Sequence, residues 1–212
     1  MFKNVTINEF LDDLASNSPA PGGGSVAGLG SALAAALGSM VCNLTIPKKA
    51  FEKLSEEEKI KVHSSLEFCR KSIDRYIELM EEDTKSFMGV IEAYKLPKDT
   101  EEEVQARNKA VVEGYKVALE TPKKLCDESL RLYPVLDSLS DLGNKNAISD
   151  VGVAALMVYA SIESALLNVI INLNSIDDID YKEEVNKYIS DVKEKNDVMK
   201  NKILNKVSNK IS

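Results

Sequence analysis

From Val26 to Thr45 the chain carries no charge, in a sequence where 29% of residues are charged. Ala, Gly, Ser and Leu make up most of the stretch, and Pro47 limits it on the far side. An uncharged helix of this kind must be buried, and its small side chains let neighbouring backbones approach closely, inside a bundle or across a dimer seam. Its length nears a membrane span, yet its weak hydrophobicity and the absence of a flanking aromatic belt favour a protein core. Ahead of it stands Ser18-Pro19-Ala20-Pro21-Gly22-Gly23-Gly24-Ser25. The prolines oppose helix there and the glycines widen the accessible backbone angles, so a tight loop is predicted, with Ser25 as the helix N-cap.

The rest of the chain is arranged to cover that helix. Thr6 to Glu9, Ser55 to Glu58 and Thr100 to Glu103 each spell a capping box, and Val5 and Phe10 are spaced to staple the first. Apolar residues recur at helical steps through Ile60, Leu66, Ile73, Ile77, Met80, Phe87 and Ile91, and again through Val104, Val111, Tyr115 and Leu119. Thr121-Pro122 reads as the start of a new helix, and Ser149 or Asp150 as the cap of an apolar helix from Val151 to Leu173. Glu163 is the one charge in that helix and needs water or a partner. A final amphipathic helix begins near Asp180. With aromatics at 6% and no tryptophan, the chain is expected to be all-α, a bundle of long antiparallel helices. No internal repeat or linker divides residues 1–212, so one helical domain is expected, with 174–180 its best hinge.

Charge and residue usage exclude several functions. A net charge of −7 disfavours nucleic acid and anionic membrane as partners and means that an anionic ligand needs a local basic patch. Cys42, Cys69 and Cys126 are widely spaced and odd in number, so reduced, buried thiols are expected rather than disulfides or a thiolate metal site. The single histidine, His63, can build neither a usual zinc site nor a triad, and is expected at the surface; no metal is expected. The N-terminus lacks the pattern of a secretory signal, so a cytoplasmic address is expected. Two features can carry chemistry. The glycine loop opening a helix can cradle an anion or can be an ordinary sharp turn. In Glu81-Glu82-Asp83, Asp83 stands closest to the apolar side of its helix, where desolvation would raise a carboxyl into the range useful for proton transfer. Lys48, Lys49 and Lys53, and likewise Arg107 and Lys109, are either solvated charges or a local basic patch.

Four blocks in one order carry a resemblance. They are Ser18 to Ala27 with Gly38-Ser39-Met40-Val41; Glu82-Asp83 with Phe87 and Leu96-Pro97-Lys98; Ser149-Asp150 with Ala154-Ala155; and Asn168-Val169-Ile170-Ile171-Asn172-Leu173. Together they resemble the folate-dependent cyclodeaminase/cyclohydrolase family, which includes the C-terminal domain of formiminotransferase-cyclodeaminase, over nearly the whole chain. The resemblance implies an all-α homodimer acting on a tetrahydrofolate derivative, with no separate cofactor. It implies a catalytic Asp83 and a pocket drawn from Gly22, Gly23, Gly24, Ser25, Ser149, Asp150, Asn168 and Asn172. Lys48, Lys49 and Arg107 match basic positions suited to the glutamate tail, polyglutamylated tails included. The expected activity is hydrolysis of 5,10-methenyltetrahydrofolate to 10-formyltetrahydrofolate. The alternative is formimidoyltetrahydrofolate cyclodeamination with release of ammonia, and the remote alternative a non-catalytic helical dimerisation module. No transferase domain precedes the resembling blocks, so formimino transfer within one chain is not expected.

Overall fold

The computed structural model describes residues 2–211, and the α-helices among them run in the order α1 (Ile7–Leu14), α2 (Gly23–Thr45), α3 (Lys49–Glu52), α4 (Glu56–Tyr94), α5 (Glu101–Leu130), α6 (Leu132–Leu142), α7 (Ile148–Leu173) and α8 (Ile179–Ile211). There is no strand among the described residues, so the all-α expectation holds. The three capping boxes open α1, α4 and α5, each with the reciprocal side-chain and backbone bonds in place.

Helices α2, α4, α5 and α7 form an up-down-up-down bundle. The register is fixed by particular contacts. Gly28 lies against Met80 and Tyr76 of α4, Gly38 against Cys69 of α4, and Gly30 against Ser161 of α7. A Cβ at Gly28 would come 2.9 Å from the Met80 Cβ and 3.2 Å from its Cα, so the glycine is what allows α2 and α4 to approach this closely. The α4 to α5 contact is tied by the Tyr76 hydroxyl donating to the Glu128 carbonyl at 2.9 Å. Helix α8 lies along α7, held by Asn196, which is fully buried, accepts from the Tyr133 hydroxyl at 2.7 Å and donates to the Glu163 carboxylate at 3.0 Å. Glu163 therefore has a partner inside the fold. The cysteines are buried and free, with burial raising Cys42 to about 11 and Cys69 to about 12, and His63 is exposed beside Phe51.

Three local expectations are corrected. The three glycines do not form a loop: Gly22 is the N-cap, Gly23 and Gly24 are already helical, and Ser25 is buried within the first turn. Phe10 meets the Phe2 ring edge-on at 5.7 Å and packs with Met80. Ser149 and Asp150 do not cap α7, because a short 3-10 turn at Lys145–Ala147, capped by Asn144, feeds the helix from Ile148. Finally, Pro122 starts no helix. It sits inside α5, which runs unbroken to Leu130, for a reason that belongs to the site.

Candidate functional site

At one end of the bundle the N-terminus of α2, the middle of α4 and the C-terminal part of α7 enclose a cleft of about 160 Å³. Its wall brings together Gly22, Gly23, Gly24, Ser25, Asp83, Asn168 and Asn172, residues from three distant parts of the sequence. Pro19, Ala20, Thr84, Phe87, Ala118 and Ile171 complete it. The first intrahelical bond of α2 runs from the Val26 N–H to the Gly22 carbonyl, so the N–H groups of Gly23, Gly24 and Ser25 have no carbonyl within the helix. Gly22 supplies no side-chain cap. These donors, with the positive end of the helix dipole, therefore face the cleft without competition.

Asp83 opposes them. Among the described residues its carboxyl has no hydrogen-bond or ion-pair partner, and burial raises it from 3.8 to about 6. Position along α4 separates it from its acidic neighbour: Glu82 pairs with Arg75 at 3.1 Å on the outer face. Beneath Asp83, the buried Ser25 and Thr84 hydroxyls share a hydrogen bond of 3.3 Å, pinning the α2 terminus to α4. A Cβ on Gly24 would overlap the Asp83 carboxyl, so the glycine makes room for the acid. Thr84 carries no sequence signal beyond its place next to Asp83.

The far wall depends on Pro122. Within α5 a proline has no N–H for the carbonyl four residues back, which here is that of Ala118. Asn172 supplies the missing donor, its Nδ2 reaching the Ala118 oxygen at 3.2 Å. Asn168 is held likewise, donating to the Ser164 carbonyl at 2.8 Å. With each Nδ2 committed to a helix carbonyl, both side-chain oxygens are oriented acceptors on the cleft wall. Ala118 was not foreseen from the sequence, although the proline four residues on is its signal. Asn172→Ala is expected to destabilise the protein by about 1–2 kcal/mol, the cost of an unpaired buried carbonyl. In a Pro122→Ala background, where residue 122 regains an N–H, that cost should shrink to a few tenths; chemical denaturation of the four proteins measures the coupling.

The remaining sequence candidates lie elsewhere in the chain. Lys48 and Lys49 sit at the opposite end of α2, in a groove of about 580 Å³ shared with Lys145 and Lys210. Ser149 and Asp150 are in the first turn of α7, at that same end. Arg107 donates to the Tyr94 carbonyl at 3.1 Å and lies over the Tyr94 ring, closing the α4–α5 connection. Among the described residues no lysine or arginine lines the Asp83 cleft. Among the described residues no cluster of His, Cys, Asp and Glu could hold a metal ion.

A helical bundle that sets one unpaired, desolvated carboxyl against a free helix N-terminus is a scaffold for acid–base chemistry on a bound ligand. Comparison with known proteins gives the particular lineage: residues 6–191 match the formiminotransferase-cyclodeaminase family, and the chain belongs to that family. It is 41% identical over 184 residues to the methenyltetrahydrofolate cyclohydrolase of Methylorubrum extorquens, covering 87% of this chain and 86% of that one. The formimidoyltransferase-cyclodeaminase of Mus musculus is 34% identical over 187 residues, covering 88% of this chain but only 34% of the longer enzyme. The crystal structure of the formiminotetrahydrofolate cyclodeaminase of Thermotoga maritima superposes with a TM-score of 0.86 at 25% identity, over 100% of both chains.

Proposed function

We propose that this chain is a 5,10-methenyltetrahydrofolate cyclohydrolase, with Asp83 as its proton-transfer group. The observation that carries the proposal is the unpaired Asp83 carboxyl, raised to about 6 by burial and therefore mostly ionised at neutral pH. The substrate's bridging carbon shares a positive charge with two nitrogens, and a carboxylate beside it in a water-poor cleft stabilises that cation. The same carboxylate takes a proton from the water that attacks the carbon. It then returns that proton to N5 as the carbon–N5 bond breaks, and the second proton of the water leaves to solvent as the formyl carbonyl forms. Gly23, Gly24 and Ser25 present N–H donors, Asn168 and Asn172 offer acceptors, and the ring of Phe87 lies at the cleft for stacking. The 41%-identical relative bearing the cyclohydrolase name supports this choice.

Cyclodeamination is the second reading, favoured by the structural match along the whole of both chains to a protein of that name. In it, N10 attacks the formimino carbon and Asp83 protonates the departing ammonia. Purified protein given methenyltetrahydrofolate should accelerate the loss of its near-ultraviolet absorbance. Ammonia release from formimidoyltetrahydrofolate without accelerated hydrolysis would replace the first activity with the second.

The functional unit in this proposal is a homodimer. The outer face of α2 shows Val26, Leu33, Met40 and Leu44 to solvent, and the adjoining face of α7 shows Val153, Leu156, Leu167 and Ile171, with Leu167 67% exposed. Both helices are long and apolar enough to cross a membrane, but the 18-residue span in the first is 67% buried in the bundle. An uncharged two-helix face of this extent is a surface for a second copy. Light scattering should report a dimer for the unaltered chain and a monomer for Leu33→Glu, which places a charge in the middle of the face.

A further inference from the structure

Resting on the folate proposal above, we infer that Pro122 is a positioning residue: it fixes Asn172 as an acceptor for the 2-amino group of the substrate's pterin ring. Pro122 is buried inside α5 and does not itself line the cleft. It acts through Ala118, which does. A proline has no N–H, and its ring is set against the carbonyl four residues back, so that carbonyl drops out of the helix ladder. The Asn172 Nδ2 supplies the donor in its place, at 3.2 Å. A carbonyl can only accept, so the amide is held with its nitrogen on Ala118 and its oxygen on the other side. Among the described residues no donor reaches that oxygen. An unrestrained asparagine amide can turn half a circle and offer either a donor or an acceptor. This one offers the acceptor alone.

The order of groups round the cleft names what that acceptor meets. A Cβ on Gly24 would overlap the Asp83 carboxyl, and one on Gly23 would lie 3.6 Å from the Asn168 Nδ2, so the α2 terminus stands between the acid and Asn168. Asn172 follows one turn further along α7, against α5. The wall therefore presents in turn an acid, N–H donors, an acceptor and a second acceptor. One edge of the pterin ring in methenyltetrahydrofolate carries the complementary order: the bridging carbon on N5, the O4 carbonyl, the N3–H and the 2-amino group. With the reacting carbon at Asp83, O4 takes the free N–H groups of α2, N3–H donates to Asn168 and the 2-amino group to Asn172. Turned over, the ring would set its C7 methylene and N8–H against those N–H donors, with no acceptor for them. The wall thus admits one orientation. The cleft, at about 160 Å³, falls below the roughly 300–1,000 Å³ of pockets that enclose a whole drug-sized ligand, which suits the two-ring head alone.

Changing ligand and protein together tests this. The probes are tetrahydrofolate and its 2-desamino counterpart, with dissociation constants measured by calorimetry. Pro122→Ala returns an N–H to the Ala118 carbonyl and releases the amide, so tetrahydrofolate should bind about threefold more weakly while the 2-desamino ligand binds as before. Adding Asn172→Ala in that background, where the Ala118 carbonyl stays paired, should extend the loss to about tenfold for tetrahydrofolate and again spare the 2-desamino ligand. Adding Asn172→Asp instead supplies an oxygen that needs no contact with Ala118, and tetrahydrofolate affinity should return to within about twofold of the unaltered value. KM for methenyltetrahydrofolate should follow the same order with kcat little changed. Equal losses for both ligands in Pro122→Ala would make the proline merely structural and overturn the inference. Unchanged tetrahydrofolate binding in that variant, or an aspartate variant as weak as the alanine one, overturns it equally. Failure of the unaltered protein to bind tetrahydrofolate would instead refute the folate reading itself, before any variant is compared.

Discussion

Asp83→Asn is expected to lower kcat about a thousandfold while making the protein more stable at neutral pH. The amide keeps the shape of the carboxyl but can neither accept the proton from water nor offset the substrate's cation. The stability gain follows from linkage. Burial raises the folded-state value from 3.8 to about 6, so between those values the native state binds more protons than the unfolded chain. Stability contributed by this group is therefore lost as pH rises from about 4 to about 6, and the deficit above pH 6 is about 3 kcal/mol. Denaturation of the two proteins should give matching stabilities near pH 3.5 and a more stable variant at pH 7. In the unaltered enzyme, kcat should rise with pH as the carboxyl ionises and level off above about pH 6.5. A variant of unchanged stability at pH 7 would show that the carboxyl is not desolvated; one with retained turnover would remove Asp83 from the chemistry.

Gly24→Ala is the second large effect, expected to reduce kcat about a hundredfold with little loss of fold. A methyl group at this position overlaps the Asp83 carboxyl, so the acid must rotate away from the reacting carbon. What yields is the end of a side chain rather than backbone, and replacing glycine by alanine within a helix favours the helix by up to about 1 kcal/mol. Thermal melting should therefore be unchanged or slightly raised while turnover falls. Gly89→Ala is the control: no atom lies within 4 Å of a Cβ there, and activity should persist.

The architecture was legible wherever a local signal matched the global one. The three capping boxes and the uncharged run from Val26 placed the main helices, because cap chemistry and charge exclusion act on consecutive residues. Pro122 misled because its cost is offset by a residue fifty positions away, Asn172, and no local pattern reveals such a pairing. The glycines misled differently: their freedom suggested a loop, whereas their small size is what the first turn of α2 needs beside Asp83. Asp83 itself was visible as the acid on the apolar edge of its helix. The grouping of Lys48, Lys49, Ser149 and Asp150 at the far end was not, because motif order along a chain carries no information about which end of a bundle each motif occupies.

The central place of α2 has a kinetic consequence. Beyond its first turn, its hydrogen-bonded amide protons are shielded on two sides by α4 and α7, so they should exchange with solvent deuterium only through global opening, whereas the short α1 and α3 open on their own. The first turn of that helix packs on Asp83 and Thr84 of α4, so the cleft is built directly on the last-opening unit. Heating should then leave no window in which the protein is folded but inert: the loss of activity and the calorimetric transition should fall at one temperature.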